Sequence, residues 1–396
     1  MSKSKTLGAS RERTLGVLGS GQLGRMFAQA AQDMGFHVIV FDPEAQKEGA
    51  LSPAAQVSDS FITADFSDTA ALHSLATQCA AVTTEFENVS DDALAFLAKP
   101  SSDVIVAPKA DAVRIAQSRV LEKKYFQACG VPIAPYVVID SQQQLSSVPD
   151  DFYPAILKTA RMGYDGKGQV TVKSAAELHA AWNGLSQATC VLEQRLRLAS
   201  ECSVLLARQV GVDGNVRMIH WPVQRNVHVD GILATTEVAC KEDASQAMLN
   251  EALISAAQKI ATDLDYVGVL CVEFFILADG SWVVNEIAPR PHNSGHVTMN
   301  GSSLSQFEAQ VRVIAGLPLV QPRQHSSCVM INLLGDVWEP DWSRVLALGS
   351  ADVGVHLHLY GKAQARVGRK MGHINVTAAT LAEAWQTAAA IQQLLR

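Results

Sequence analysis

No basic stripe runs through this chain. Its 396 residues carry a net charge of -7, whereas a dedicated nucleic-acid binder shows a basic patch or stripe. No apolar run approaches the roughly 20 residues that span a bilayer. No C-x-x-C pair occurs among Cys79, Cys129, Cys190, Cys202, Cys240, Cys271 and Cys328, and their number is odd. Several lie in apolar runs such as GVLCVEFFIL, so they read as buried free thiols in a reducing compartment. The opening MSKSKTLGASRER is polar and basic with no apolar stretch behind it. It reads as a disordered tail over 1–13 rather than a signal peptide. No internal repeat or low-complexity segment is present. These absences argue against nucleic-acid and membrane partners and predict a cytoplasmic protein.

What remains is 48% hydrophobic, enough for a real core, at a length that suggests about two or three domains. In the first part, strands (TLGVLG, HVIVFD, AVTTEF, DVIVAP) alternate with helical segments such as Gln22–Met34 and Asp91–Ala98. That alternation predicts a parallel α/β sheet. DAVRIAQSRVLEKKYFQACG reads as one helix stopped by Gly130 and Pro132. Strands then follow in succession: YPAILKTA, QVTVKS, CVLEQRL, ECSVLLARQ and VRMIHWPV. This predicts α+β structure with antiparallel pairing. A helix near Ser245–Leu264 precedes VLCVEFFIL and SWVVNEIA. More strands and a helix over Leu381–Leu395 close the chain.

Gly19, Gly21 and Gly24 after the first strand have G-x-G-x-x-G spacing, and Asp42 ends the second strand. That is the outline of a dinucleotide-binding fingerprint and raises a nicotinamide or flavin enzyme. In VEFFILADGSWVVNEI, Asp279-Gly280 reads as a two-residue hairpin turn. The register then sets Leu277 opposite Trp282 and Glu273 opposite Glu286. Opposed like charges destabilise a hairpin, and a divalent cation relieves them. Oxygen-only ligation points to Mg2+; two glutamates on a solvated face are the alternative. In LKTARMGYDGKGQV, Gly163, Gly166 and Gly168 lie between strands, with Lys158 and Lys167 beside them. The spacing is not that of a Walker loop. A strand–loop–strand flap over nucleotide phosphates and an ordinary glycine-rich hairpin both fit. APRPHNSGH crowds Arg290, His292, Asn293, Ser294 and His296 behind the second glutamate, and Arg290 has the planar fork for bidentate capture of an oxyanion such as bicarbonate. Read in isolation, Glu85 and Glu87 of TTEFENV favour a solvated turn. Lys362, Arg366, Arg369, Lys370 and His373 likewise favour a basic hairpin face.

In this order, GxGQLGRM, TTEFENV, GYDGKGQ, VEFF…NEIAPRPHNSGH and GRKMGHIN resemble the ATP-grasp enzymes of purine biosynthesis, the N5-carboxyaminoimidazole ribonucleotide synthetase family. The resemblance covers nearly the whole chain from Thr14. It implies a pre-ATP-grasp Rossmann-like domain over 14–110, an ATP-grasp domain over 111–316 with a flap near 131–200, and a β-rich domain over 317–396. It implies that ATP and bicarbonate give carboxyphosphate and ADP, and that aminoimidazole ribonucleotide is then carboxylated at N5. Around ATP it places Arg114, Lys158 and the flap residues Gly163, Tyr164, Asp165, Gly166, Lys167, Gly168 and Gln169. Glu193, Gln194, Arg195 and Leu196 would meet adenine, Glu201 the ribose hydroxyls, and His228, Asn285 and Glu286 would complete the ATP site. Glu273 and Glu286 match the family's Mg2+ ligands. Ala288 stands where many ATP-grasp proteins carry a further Asn, leaving fewer side-chain ligands for a second metal. Arg290 and His292 would handle bicarbonate or carboxyphosphate, and Asp165 would sit near the substrate amine. Gly21, Gln22, Leu23 and Glu85 would face aminoimidazole ribonucleotide, with Lys362 and Arg369 on its phosphate. The resemblance also implies a homodimer. A formate-using transformylase, a nicotinamide enzyme and a non-catalytic nucleotide sensor are the rival readings.

Overall fold

A computed structural model describes residues 10–161, 163, 168–211, 213–241, 243–337 and 341–395. The first sheet is parallel, in the order Ser60–Ile62, His37–Phe41, Thr14–Leu18, Ala81–Thr84, Ile105–Val106. Thr14–Leu18 is buried at every position, as a central strand covered on both faces must be. The Gln22–Asp33 helix buries Leu23, Met26, Phe27 and Ala31. Asp42 accepts from the Glu44 backbone N–H at 2.6 Å, so it closes its strand locally.

The predicted single helix over 111–130 is two, Ala110–Ala116 and Arg119–Cys129. Ser118 separates them with extended backbone and caps the second by accepting from the Leu121 N–H. Gly130 ends that helix at φ 70°, a conformation that costs glycine little. A four-stranded antiparallel sheet follows in the order Gln169–Val172, Ala155–Thr159, Cys190–Gln194, Tyr136–Ile139.

The largest sheet runs Trp282–Ala288, Gly268–Leu277, Leu198–Val210, Gln224–Val229, Ile232–Val238, Ser327–Leu334, Lys370–Ala378, Gly354–Leu359, with Val216–His220 also paired to Leu198–Val210. The hairpin Gln224–Val238 was not anticipated from the sequence. Its strands mix polar Gln224, Arg225, Asn226, His228, Thr235, Thr236 and Glu237 with apolar residues in no regular alternation, and those polar side chains conceal the strand pattern. The C-terminal strands thus extend the central sheet, and the Leu381–Leu394 helix covers them with a Thr380/Glu383 capping box at its start. Gln310, 1% exposed, joins the first sheet to the largest one. Its Nε2 donates to Thr83 Oγ1 at 2.8 Å and its Oε1 accepts from the Val269 N–H at 2.6 Å. All seven cysteines are free, and no described helix is long and apolar enough to cross a membrane.

Candidate active site

The three sheets enclose a cleft of about 1790 Å³, lined from Gln22 near the start of the chain to Lys370 near its end. Glu273 and Glu286 stand opposite each other on its wall, as the hairpin reading expected, but by a different route. The loop has three residues. Leu277 N–H bonds Ser281 O, and Gly280 takes φ 84°, so Trp282 pairs with Ile276 rather than Leu277. A β-bulge between Glu273 and Phe274 then adds one residue on the partner strand and restores the Glu273–Glu286 pair. The bulge also lets the successive residues Asn285 and Glu286 both face the cleft, where a regular strand would alternate them.

One helix face holds this bulge. Arg119, Glu122 and Lys123 are spaced i, i+3, i+4 and therefore share a side of Arg119–Cys129. Arg119 Nη1 lies 3.1 Å from Glu286 Oε2. Glu122 Oε1 accepts from the Ile287 N–H at 2.8 Å, and Lys123 Nζ donates to the Asn285 carbonyl at 3.2 Å. The backbone is thus gripped on both sides of Glu286. Burial, reinforced by Glu286, pushes the Glu122 carboxyl up to about 8.

Behind this clamp, Glu193 takes Lys158 at 2.8 Å and Lys123 at 3.2 Å, with all three side chains under 10% exposed. Burial alone would raise the Glu193 carboxyl. The Lys158 and Lys123 ammonium groups outweigh it and bring its pKa to about 2. Burial, with Arg119 and Lys123 nearby, holds Lys158 below the ordinary lysine range despite Glu193. Arg119, Lys123 and Lys158 thus interleave with Glu193 and Glu286 along one wall of the cleft. Further along the cleft, His228 Nδ1 lies 2.8 Å from Glu201 Oε2. That contact lifts the imidazole pKa against the penalty of burial.

The end of the first sheet supplies the opposite wall. Glu85 is buried, and its carboxylate accepts from the Gly21 N–H and, at 2.7 Å, the Gly24 N–H. Burial raises its pKa, and those two N–H groups oppose the rise. The solvated turn expected for TTEFENV is thereby corrected. So is the nicotinamide reading: the anion site of the glycine turn is filled by the chain's own carboxylate. A Cβ at Gly21 would sit 2.6 Å from Glu85 Oε1, so glycine is needed there for this approach. Arg290 Nε pairs with Glu87 Oε2 at 2.5 Å, and His292 Nε2 with Glu273 Oε1 at 3.0 Å.

Three family descriptions match successive stretches: a ribonucleotide synthetase preATP-grasp domain (12–117), an ATP-grasp domain (124–307) and a phosphoribosylaminoimidazole carboxylase C-terminal domain (328–387). An N5-carboxyaminoimidazole ribonucleotide synthase from Brucella melitensis is 42% identical over 364 residues, covering 91% of this chain and 95% of that protein. The chain belongs to the N5-carboxyaminoimidazole ribonucleotide synthase family. Its Bacillus subtilis relative of the same name is 38% identical over 362 residues, covering 91% of this chain and 90% of that protein. The fold agrees. The ADP complex of an N5-carboxyaminoimidazole ribonucleotide synthetase matches with TM-score 0.85 and 37% identity over 97% of both chains. An Aspergillus clavatus synthase with ADP and 5-aminoimidazole ribonucleotide matches with TM-score 0.83 and 30% identity, covering 98% of this chain and 99% of that one.

Most residues expected for a synthase of this family come together. Gln22, Leu23, Glu85, Lys158, Gly163, Gln169, Glu193–Leu196, Glu201, His228, Glu273, Asn285, Glu286, Arg290, His292, Lys362 and Arg369 all line the cleft. The segment read as a basic hairpin face therefore turns inward. Lys362 Nζ donates to Lys370 O at 2.6 Å and Arg369 Nη1 to Gln364 O at 2.8 Å. Gly21 and Gly168 do not line the cleft themselves but immediately precede Gln22 and Gln169, which do. Tyr164, Asp165, Gly166 and Lys167 lie outside the described residues. Arg114 does not line the cleft; it pairs with Asp111 at 2.9 Å with its side chain exposed. The helix break at Ser118 turns the following helix inward, and Arg119 takes the inner place instead. The signal that points to Arg119 is the charged triad at 119, 122 and 123, set among apolar helix positions.

Proposed function

We propose that this chain carboxylates 5-aminoimidazole ribonucleotide with ATP and bicarbonate, giving N5-carboxyaminoimidazole ribonucleotide, ADP and phosphate through carboxyphosphate, in purine biosynthesis. One observation carries the reading: the opposed Glu273 and Glu286 face a cleft that also holds Lys158, Arg290 and His292. The donors fit magnesium, being hard carboxylate oxygens held on two paired strands. Glu273 and Glu286 would hold Mg2+, which would supply positive charge to neutralise the phosphates. The chain's own residues supply the rest. Lys158 and Arg119 offer positive charge to the transferring phosphoryl group, and positioning with charge stabilisation is most of what such a transfer needs. Glu201 is placed to accept from ribose hydroxyls, and the Glu193–Leu196 stretch borders the base.

A bicarbonate oxygen attacks the γ-phosphorus and ADP leaves. The N5 amine then attacks the carboxyl carbon, or CO2 released from it. The C–O bond of carboxyphosphate breaks in that attack, or beforehand when CO2 is the species attacked; inorganic phosphate leaves with the bonding electrons and the amine gives up a proton. Arg290 holds the planar carboxyl group. His292, kept charged against burial by the Glu273 carboxylate 3.0 Å from its Nε2, stabilises its developing negative charge. Gln22 and Glu85 face the ribonucleotide, and Lys362 and Arg369 its phosphate. The reading includes a homodimer acting in the cytoplasm. Its test is steady-state ADP release. Productive turnover is expected only when bicarbonate and aminoimidazole ribonucleotide are both present. Stimulation by formate and glycinamide ribonucleotide instead would overturn it in favour of a transformylase.

A further inference from the structure

Behind the cleft wall, a second set of metal-ligating atoms converges. Cys271 and Glu273 are two residues apart on one strand and so point to the same side. His292 reaches them from the following loop. One donor atom from each of the three lies within 4.8 Å of the others, the one such group among the described residues. Cys271 is fully buried and does not line the cleft, whereas Glu273 and His292 do. The thiol thus forms the floor of a site entered from the cleft.

The imidazole is held for ligation. His292 Nδ1 contacts Ser294 Oγ at 2.9 Å and accepts from the Ser294 backbone N–H at 3.3 Å, and Ser294 Oγ is braced at 2.8 Å by Ser203 Oγ. Ser203 in turn accepts from Asn226 Nδ2 at 3.0 Å, and Asn226 Oδ1 accepts from Thr236 at 3.0 Å. Ser203, Ser294 and Thr236 are fully buried and Asn226 is nearly so. This hydroxyl chain leaves Nε2, which faces Glu273, as the coordinating nitrogen. An outer-sphere partner on the other ring nitrogen is what metal-ligating histidines ordinarily have.

We infer that Cys271, Glu273 and His292 form an inhibitory site for a borderline or soft divalent metal, zinc above all. Sulfur, imidazole and carboxylate together suit Zn2+ and not Mg2+. Three protein ligands leave a fourth position open toward the cleft. A metal seated there displaces both the thiol proton of Cys271 and the Nε2 proton of the charged His292 imidazole. It also occupies Glu273 and His292 together, so turnover stops. The inhibitory consequence rests on the function proposed above; the metal site itself does not.

The two are separable by experiment. Nucleotide-free protein is titrated with Co2+ and with Zn2+, following thiolate-to-cobalt charge-transfer absorption and calorimetry. The wild type is expected to bind one ion per chain with that absorption. Cys271→Ser is expected to abolish the absorption and weaken Zn2+ by about 100-fold or more. Ser294→Ala, which keeps all three ligands, is expected to weaken it by about 10–100-fold, the usual cost of an outer-sphere partner. In turnover with saturating Mg2+ and ATP, low Zn2+ should inhibit the wild type and spare Cys271→Ser. Absence of thiolate absorption in the wild type, or unchanged Zn2+ affinity in Cys271→Ser, overturns the site. Equal inhibition of both proteins overturns its regulatory meaning. Metal binding by a chain that forms no ADP would instead count against the proposed function alone.

Discussion

Glu286→Gln is expected to lower the rate of ADP formation by about 10³-fold, the scale on which removing a single group that stabilises developing charge acts. The carboxylate does two things at once. It stands opposite Glu273 in the cleft, and it accepts Arg119 at 3.1 Å. Glutamine keeps an oxygen for Arg119, and the backbone on either side stays clamped by Glu122 and Lys123. Stability should therefore hardly change while the negative charge needed for a divalent cation is lost. Thermal unfolding and initial rates measured on the same preparation separate the two. Near wild-type turnover in Glu286→Gln would sink the assignment of this pair to the metal.

The second large effect is on stability. In Glu193→Gln, two buried ammonium groups, Lys123 and Lys158, lose their shared counter-charge. Breaking a buried pair in this way costs about 3–5 kcal/mol. The sign of the pH dependence follows from the direction of the shift. The folded-state pKa of Glu193 is depressed to about 2 from an ordinary 4.5. Its stabilisation is therefore fully present above the unfolded value and is lost as pH falls toward the folded one. Denaturant unfolding should show the full gap between wild type and variant above about pH 5, closing between about pH 4.5 and 2. A gap that stays constant down to pH 3 would mean that Glu193 acts through packing rather than charge.

These two glutamates show which parts of the site are legible from sequence. The strand–glycine turn–helix at Thr14–Asp33 is encoded locally and folds as its pattern says. What fills its anion site is not local: Glu85 arrives from a strand 61 residues beyond Gly24. The Glu273–Glu286 opposition was correctly expected because two departures cancel. A three-residue loop shifts the register one way, and the bulge at Asn285 shifts it back. That bulge depends on Glu122 and Lys123, more than 160 residues away in sequence, so nothing near the hairpin announces it. Arg114 and Arg119 look equally plausible along the chain. The break at Ser118 sends one to the surface and the other to Glu286. Turn chemistry and periodicity are short-range. The clamp, the lysine pair on Glu193 and the inward turn of Lys362 and Arg369 are products of tertiary packing.

The most direct measurement follows oxygen. With ATP, aminoimidazole ribonucleotide and 18O-labelled bicarbonate, the phosphate released is analysed by mass spectrometry or by its isotope-shifted NMR signal. Attack by bicarbonate on the γ-phosphorus predicts one bicarbonate-derived oxygen in each phosphate formed. Phosphate that carries no label while N5-carboxyaminoimidazole ribonucleotide accumulates would contradict carboxyphosphate and the phosphoryl transfer assigned to this cleft.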